Sequence, residues 1–141
     1  MVARTFARTV AGSSDERLRK YLSGWRRRLV LGGIFRQMPR RLNKKQAKAV
    51  DAVVDWKITG GSGDGVDHYQ VKIHDGKCRV SRKPTEPPRS TIELDGVDFL
   101  RLAAGVAEGP QLFMTGKLRI EGDVMFTAQL ASLFRLPASA G

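Results

Sequence analysis

Three side chains in the middle of this sequence could carry covalent chemistry: Cys78, His68 and His74. A cysteine thiol beside an imidazole base is the arrangement that cysteine nucleophiles use. The pair Asp75-Gly76 predicts a two-residue hairpin turn, because both turn positions need positive φ. In that register Ile73 lies opposite Cys78. Because successive side chains of a strand alternate between faces, Cys78 is expected on the apolar face and His74 on the polar one.

Other catalytic and metal-binding classes also lack support. Two histidines and one cysteine do not have the spacing of a metal site, and the acidic residues are scattered. The glycine-rich run at 60–65 does not fit the dinucleotide fingerprint, because the third glycine position is occupied by Val66. No Lys-Ser or Lys-Thr pair follows that run to complete a nucleotide P-loop. We therefore expect a chain that is not an enzyme and that has no catalytic residues, metal or cofactor.

Apolar residues at a period of two predict five short strands. Their apolar positions are Val54, Trp56 and Ile58; Tyr69, Val71 and Ile73; Cys78 and Val80; Ile92 and Leu94; Leu118 and Ile120. Each strand alternates these residues with polar ones, so one sheet face is apolar and the other is polar. Strands with one polar face and helices grouped elsewhere in the chain indicate an α+β fold.

Apolar residues at helical spacing predict the helices that cover this sheet. From Asp15 the repeat is Leu18, Leu22, Trp25 and Leu29, and residues 43–52 predict a short helix that Asn43 caps. Two later helices are capped by aspartates. The helix that follows Asp95 carries Phe99 and Leu102, and the helix that follows Asp123 carries Phe126, Leu130 and Phe134. Residues 1–14 lack periodicity and are expected to be a disordered arm.

The positive charge of the chain is concentrated in its first third. The net charge is +11, and residues 1–48 carry 14 Lys and Arg against only Asp15 and Glu16. Trp25 beside Arg26, Arg27 and Arg28 suits contact with an anionic membrane surface. The same charge could lie along nucleic acid phosphates. A third interpretation is a helix that docks on its own domain and keeps its basic side in water.

The composition also predicts where the protein resides. A single cysteine fits a reducing compartment. The apolar run at 29–35 has seven residues, whereas a transmembrane helix needs about 20. A twin-arginine export signal at 26–28 and a transit peptide at 1–14 are weaker interpretations of the same residues. We expect a cytoplasmic protein.

The stretch from Val53 to Pro137 resembles the sterol carrier protein type 2 family of lipid-binding domains. The resemblance rests on Val54-Asp55-Trp56-Lys57-Ile58, Val71-Lys72-Ile73-His74-Asp75-Gly76, Thr91-Ile92-Glu93-Leu94, Asp98-Phe99-Leu100 and Leu102-Ala103-Ala104-Gly105, and on the segments at 113–123 and 133–134. The segment Gly116-Lys117-Leu118-Arg119-Ile120-Glu121-Gly122-Asp123 is its most specific part. The resemblance implies a five-stranded, mainly antiparallel sheet whose helices cover one face and enclose an apolar tunnel.

By the same resemblance the function is non-enzymatic binding or transfer of a fatty acyl chain or sterol-like lipid. The implied lipid-binding residues are Trp56, Phe99, Leu102, Phe113, Met114, Phe126, Leu130 and Phe134. The predicted organisation is a basic arm and helix (1–28), the lipid-binding domain (29–137) and a tail (138–141). The alternative is an interaction domain with a filled core, whose basic helix binds a protein, a membrane surface or nucleic acid.

Overall fold

A computed structural model describes residues 8–61 and 65–130. The helices are α1 (Asp15–Tyr21), α2 (Trp25–Arg41), α3 (Lys44–Ala47), α4 (Gly96–Ala103), α5 (Gly109–Met114) and α6 (Val124–Leu130). The strands are β1 (Ala52–Thr59), β2 (Asp67–His74), β3 (Lys77–Ser81), β4 (Ser90–Asp95) and β5 (Leu118–Gly122). The five predicted strands are therefore confirmed, with an α+β order.

The five strands form one mixed sheet in the order β3-β2-β1-β4-β5. All neighbours pair antiparallel except β1 and β4, which are parallel. The predicted hairpin register is confirmed, since Ile73 pairs with Cys78. Asp75 and Gly76 have φ of 53° and 72°, as the two-residue turn requires. The sheet is thus mainly antiparallel, as expected, with β3 and β5 at its edges.

The centre of the apolar face is filled by four aromatic rings. Phe35 of α2 stacks on Tyr69 at 4.1 Å between ring centroids and on Phe99 of α4 at 5.0 Å. Trp56 meets Phe35 and Phe99 edge-on, at 6.0 and 5.6 Å. Stacked and edge-on aromatic pairs attract each other beyond the burial of their area. The four rings join α2 and α4 to β1, the central strand, and to its neighbour β2.

The first helical repeat folds differently from its prediction. Leu18 and Leu22 are buried, whereas Trp25 is 71% exposed and Leu29 is 64% exposed. The reason is a break between α1 and α2, where Gly24 adopts φ of 57° and redirects the chain. After the break, α2 turns Leu31 and Phe35 to the sheet. The single apolar stripe is therefore divided between the buried Leu18 and Leu22 and an exposed start of α2.

Two further expectations are corrected near the N-terminus. Residues 8–11 of the expected disordered arm are helical, and Val10 is buried in the core. The helix expected at 43–52 is only Lys44–Ala47, capped as predicted by Asn43, because β1 already begins at Ala52. The predicted domain boundary after residue 28 falls inside α2. The division into a basic segment and a lipid-binding domain stays a prediction.

Candidate functional site

The apolar face of the sheet becomes more accessible towards the β5 edge. One row of paired residues crosses four strands, running from Tyr69 through Trp56 and Ile92 to Ile120. Tyr69, Trp56 and Ile92 are 2%, 8% and 3% exposed, whereas Ile120 is half-buried. Leu102, on α4, is half-buried as well. The face is packed at its centre, and on β5 the covering decreases from Leu118, which is 6% exposed, to the half-buried Ile120.

Two of the expected lipid-binding residues, Trp56 and Phe99, belong to the packed centre. They contact each other and Phe35 within the aromatic group. Leu102 lies one helical turn after Phe99, on the same side of α4, and is only partly covered. Trp56 and Phe99 are therefore packed among other rings, and Leu102 is the more accessible of the three.

Phe113 and Met114, the next two expected residues, end helix α5. Leu112 anchors this helix, because its side chain is buried and its carbonyl accepts a hydrogen bond from the Lys117 backbone N–H at 2.9 Å. The two following side chains reach solvent instead, with Phe113 43% and Met114 84% exposed. Large exposed apolar side chains of this kind often mark a binding surface.

Phe126, on α6, lies at the opposite end of β5 from α5. It is 7% exposed, and the guanidinium of Arg89 covers its ring at 4.1 Å from the centroid. The two residues that precede it on the same helix, Val124 and Met125, are 41% and 75% exposed. The α6 backbone reaches Leu130, whose side chain lies outside the described residues, as does Phe134. Apolar side chains thus reach solvent on both helices that flank β5.

Arg89 is a residue at this site that the sequence reasoning missed. Its position follows from strand pairing, because Ser90 pairs with Gly122 and so brings residue 89 beside Asp123. The Arg89 side chain pairs with Asp123 through Nε and Nη2, at 3.0 and 2.8 Å. Asp123 also accepts a hydrogen bond from the Phe126 backbone N–H, at 2.9 Å, and so caps α6 as predicted. No local pattern indicates a partner 34 residues away.

Of the four residues expected at a membrane surface, three are exposed to solvent and one is buried. Trp25, Arg26 and Arg28 are exposed, and the Arg26 guanidinium lies 5.9 Å from the Trp25 ring centroid. Arg27 differs, since it is 7% exposed and bonds Asp67 at 2.5 Å and the carbonyls of Ile58 and Thr59 at 2.8 and 2.7 Å. Its spacing with Leu31 and Phe35, at i+4 and i+8, was the available signal for this inward direction.

The thiol of Cys78 and the imidazoles of His68 and His74 do not form a catalytic pair. Burial raises the pKa of the Cys78 thiol to about 11, so it is protonated at neutral pH. His68 contacts Asp55 at 3.2 Å and His74 contacts Asp51 at 3.3 Å. No group of three or more acids, histidines or cysteines within 8–61 and 65–130 could hold a metal ion. These contacts leave Cys78 without a base beside it in the described structure.

A recess of about 310 Å³ opens near the N-terminus of α4. Its lining is mostly charged or polar and consists of Thr59, Glu93, Leu94, Asp95, Asp98, Gly116, Lys117 and Arg119. The wall carries both acidic and basic groups, which does not suit an acyl chain. Among the described helices, none is long and apolar enough to cross a bilayer. The β5 side of the apolar face remains the candidate site.

Comparison with known proteins agrees with this architecture. The sequence model of the SCP-2 sterol transfer family matches residues 34–135. Human sterol carrier protein 2 is 24% identical over 110 residues, which are 76% of this chain and 20% of the human protein. Mouse peroxisomal multifunctional enzyme type 2 is 25% identical over 108 residues, or 76% of this chain and 14% of the enzyme. The chain thus spans a fifth or less of the length of these two relatives.

Solved structures share the fold. The apo form of Sterol Carrier Protein 2 from Yarrowia lipolytica has a TM-score of 0.58 at 19% identity, covering 74% of this chain and 86% of that one. Sterol Carrier Protein-2 from Aedes aegypti, in complex with palmitate, has a TM-score of 0.53 at 14% identity, covering 72% and 94%. Because the family model covers more than half of the sequence, the chain belongs to the SCP-2 sterol transfer family.

Proposed function

We propose that this chain binds a fatty acyl chain or sterol-like lipid against the β5 side of its apolar face and carries it unchanged. The observation that carries the proposal is the gradient of burial, from the packed aromatic centre to the exposed Phe113 and Met114. Family membership supports it, as does the palmitate bound to the Aedes aegypti relative. The relatives with enzyme names are much longer than this chain, and their activities lie outside the proposal.

The proposed ligand contacts divide into two groups. Trp56 and Phe99 form the floor through their packing against Phe35. The wall consists of Leu102, Phe113, Met114, Phe126, Leu130 and Phe134, which the resemblance implies. Together with the helices they would enclose the apolar tunnel that the resemblance also implies.

The energetics of such binding suit a carrier. Each buried methylene group contributes about 0.8 kcal/mol relative to water, so a 16-carbon chain gains on the order of 12 kcal/mol. A bilayer offers nearly the same gain, because its interior is equally apolar. The net free energy of transfer between membrane and protein is then close to zero, and loading and unloading are both accessible.

Titration of the delipidated protein with palmitate tests the lipid proposal. Saturable one-to-one binding is expected, together with a lipid that co-purifies in native mass spectrometry. Replacing Phe113 and Met114 by serine should weaken binding about tenfold, because both side chains lose apolar contact with the ligand. The matched control replaces Trp25 and Leu29, two exposed apolar residues of α2, by serine and should leave palmitate binding unchanged. No uptake by the unmodified protein would contradict the proposal.

We also propose that the start of α2 contacts an anionic membrane during lipid exchange. Trp25 and Leu29 expose apolar surface beside the exposed Arg26 and Arg28. Tyr21, at the end of α1, is 39% exposed as well. Each basic residue near an anionic surface contributes about 1 kcal/mol to binding, an attraction that salt screens. Docking would shorten the passage of the lipid through water.

Sedimentation with phosphatidylserine-containing vesicles tests the membrane contact. Binding should fall with added salt, and the double change Arg26→Glu and Arg28→Glu should reduce it about tenfold or more. The control makes the same charge change on β3, at the exposed Lys77 and Arg79. Equal losses in both variants would contradict a specific contact at α2. Vesicle binding that is absent while RNA binding is salt-sensitive would favour the nucleic acid alternative.

We propose a cytoplasmic location on the strength of the one cysteine, since Cys78 is a free thiol. The mouse relative is named as a peroxisomal enzyme. Imaging of a fluorescent fusion of the full chain distinguishes the two compartments.

A further inference from the structure

Arg89 places a positive charge at one end of the apolar face. It immediately precedes β4, and its guanidinium lies 4.1 Å from the centroid of the buried Phe126 ring. The Arg89 side chain is 47% exposed, so its polar end meets water while its flat surface covers the ring. A cation above a buried apolar group matches the two parts of an amphiphile, in which a charged head is joined to an apolar chain.

The Arg89 side chain retains hydrogen-bonding capacity in this position. A guanidinium has five N–H donors. The described contacts use its Nε and one N–H of Nη2, both directed to the same Asp123 oxygen. Among the described residues, no further acceptor is paired with this guanidinium, so its other donors remain available for the anion of a ligand. Planar, paired donors of this kind bind a carboxylate more strongly than a single ammonium does.

The neighbouring groups hold Arg89 in place and leave its remaining N–H donors unused. Asp123 is kept by its second oxygen, which accepts the Phe126 backbone N–H at 2.9 Å. Ser90 and Thr127 lie beside it as a buried hydroxyl pair, with 2.9 Å between their oxygens. The Arg89 carbonyl accepts the Asp123 backbone N–H at 3.3 Å. The guanidinium is therefore positioned before any ligand arrives, which reduces the entropy lost on binding.

Resting on the proposed lipid binding, we propose that Arg89 determines head-group specificity by binding the carboxylate of a fatty acid whose chain lies along the apolar face towards Phe126. The expected preference is for an ionised fatty acid over the alcohol of the same chain length. Arg89 acts here as a binding residue, and no bond of the ligand is made or broken.

Paired titrations with dodecanoate and dodecanol test this assignment. Arg89→Gln should weaken dodecanoate binding about tenfold and change dodecanol binding less than about twofold, because the alcohol makes no charge-assisted hydrogen bond. Arg89→Lys should restore part of the preference. Arg119→Gln is the control, since Arg119 lies on the polar face opposite Glu93. It should leave both affinities unchanged.

A second variant separates recognition from a loss of folding. Asp123→Asn keeps an oxygen that can cap α6 but removes the competing negative charge. It should tighten dodecanoate binding several-fold and leave dodecanol binding unchanged. Equal effects on both ligands in either variant, or no effect on dodecanoate, would overturn the role of Arg89. Failure of the unmodified protein to bind either ligand would overturn the lipid proposal itself.

Discussion

Arg27 brings a positive charge between α2 and the sheet. Its guanidinium joins the β2 residue Asp67 to the carbonyls of Ile58 and Thr59, which end β1. A Cβ on Gly96 would lie 3.0 Å from this guanidinium, so the start of α4 also packs closely here. One side chain therefore connects α2, two strands and α4. The same residue was expected at a membrane surface, from its place among three consecutive arginines.

Arg27→Ala should lower the free energy of unfolding by about 2 to 4 kcal/mol, because it leaves a carboxylate and two carbonyls without their partner. Arg26→Ala removes the same charge from an exposed position and should change stability by less than about 0.5 kcal/mol. Urea denaturation followed by circular dichroism measures both. Similar stabilities for the two variants would contradict the structural role of Arg27.

Helix α2 persists through residues that oppose helix formation. It continues across Gly32 and Gly33 and includes Pro39 near its end. The buried side chains of Leu31 and Phe35, which face the sheet, supply packing energy that exceeds these local preferences. Tertiary contact therefore decides the length of α2.

Two glycines offer a matched test at the level of elements. Gly33 lies inside α2, and a Cβ there would meet no atom within 4 Å, so Gly33→Ala should stabilise the protein by about 0.5 to 1 kcal/mol. Gly122 ends β5 with φ of 100°, and a Cβ there would lie 2.5 Å from the Arg89 carbonyl. Gly122→Ala should therefore destabilise the protein by more than about 1 kcal/mol. Thermal unfolding of the two variants checks the opposite signs, and a shared sign would refute this account.

At the scale of the whole molecule, ion pairs connect elements that are distant in sequence. Asp15 of α1 pairs with Arg101 of α4, and Asp123 pairs with Arg89. The hydrogen bond and charge of Arg101 lower the pKa of Asp15. The Phe126 backbone N–H and the Arg89 side chain lower the pKa of Asp123. Both carboxylates therefore favour the folded state in their ionised form.

These directions set the expected pH dependence. A lowered folded-state pKa contributes stability that is present above the ordinary value of 3.8 and is lost as pH falls through the lowered pKa. Asp98 acts in the opposite sense, because burial raises its pKa and its contribution is lost as pH rises. The contributions of Asp15 and Asp123 should therefore be lost on acidification below about pH 4, which lowers thermal stability by the share that these two ion pairs provide. Asp15→Asn should flatten that part of the profile, and an unchanged profile would contradict the role of this pair.

Local patterns in the sequence were enough to predict the strands, the hairpin register and the aspartate caps. Alternation at a period of two and the Asp75-Gly76 turn act between neighbouring residues, so no distant contact is needed to predict them. The Asp95 and Asp123 caps are local for the same reason, since each accepts a backbone N–H within three residues. The same patterns carried the family resemblance, which the match over residues 34–135 confirms.

Only the tertiary structure decided which apolar and charged side chains are accessible. The turn at Gly24 separates the buried Leu22 from the exposed Trp25, although both fit one helical repeat. Arg89 reaches Phe126 because β4 pairs with β5, a contact that joins distant segments. Burial depends on which element packs opposite a residue, and that arrangement is a property of the assembled chain.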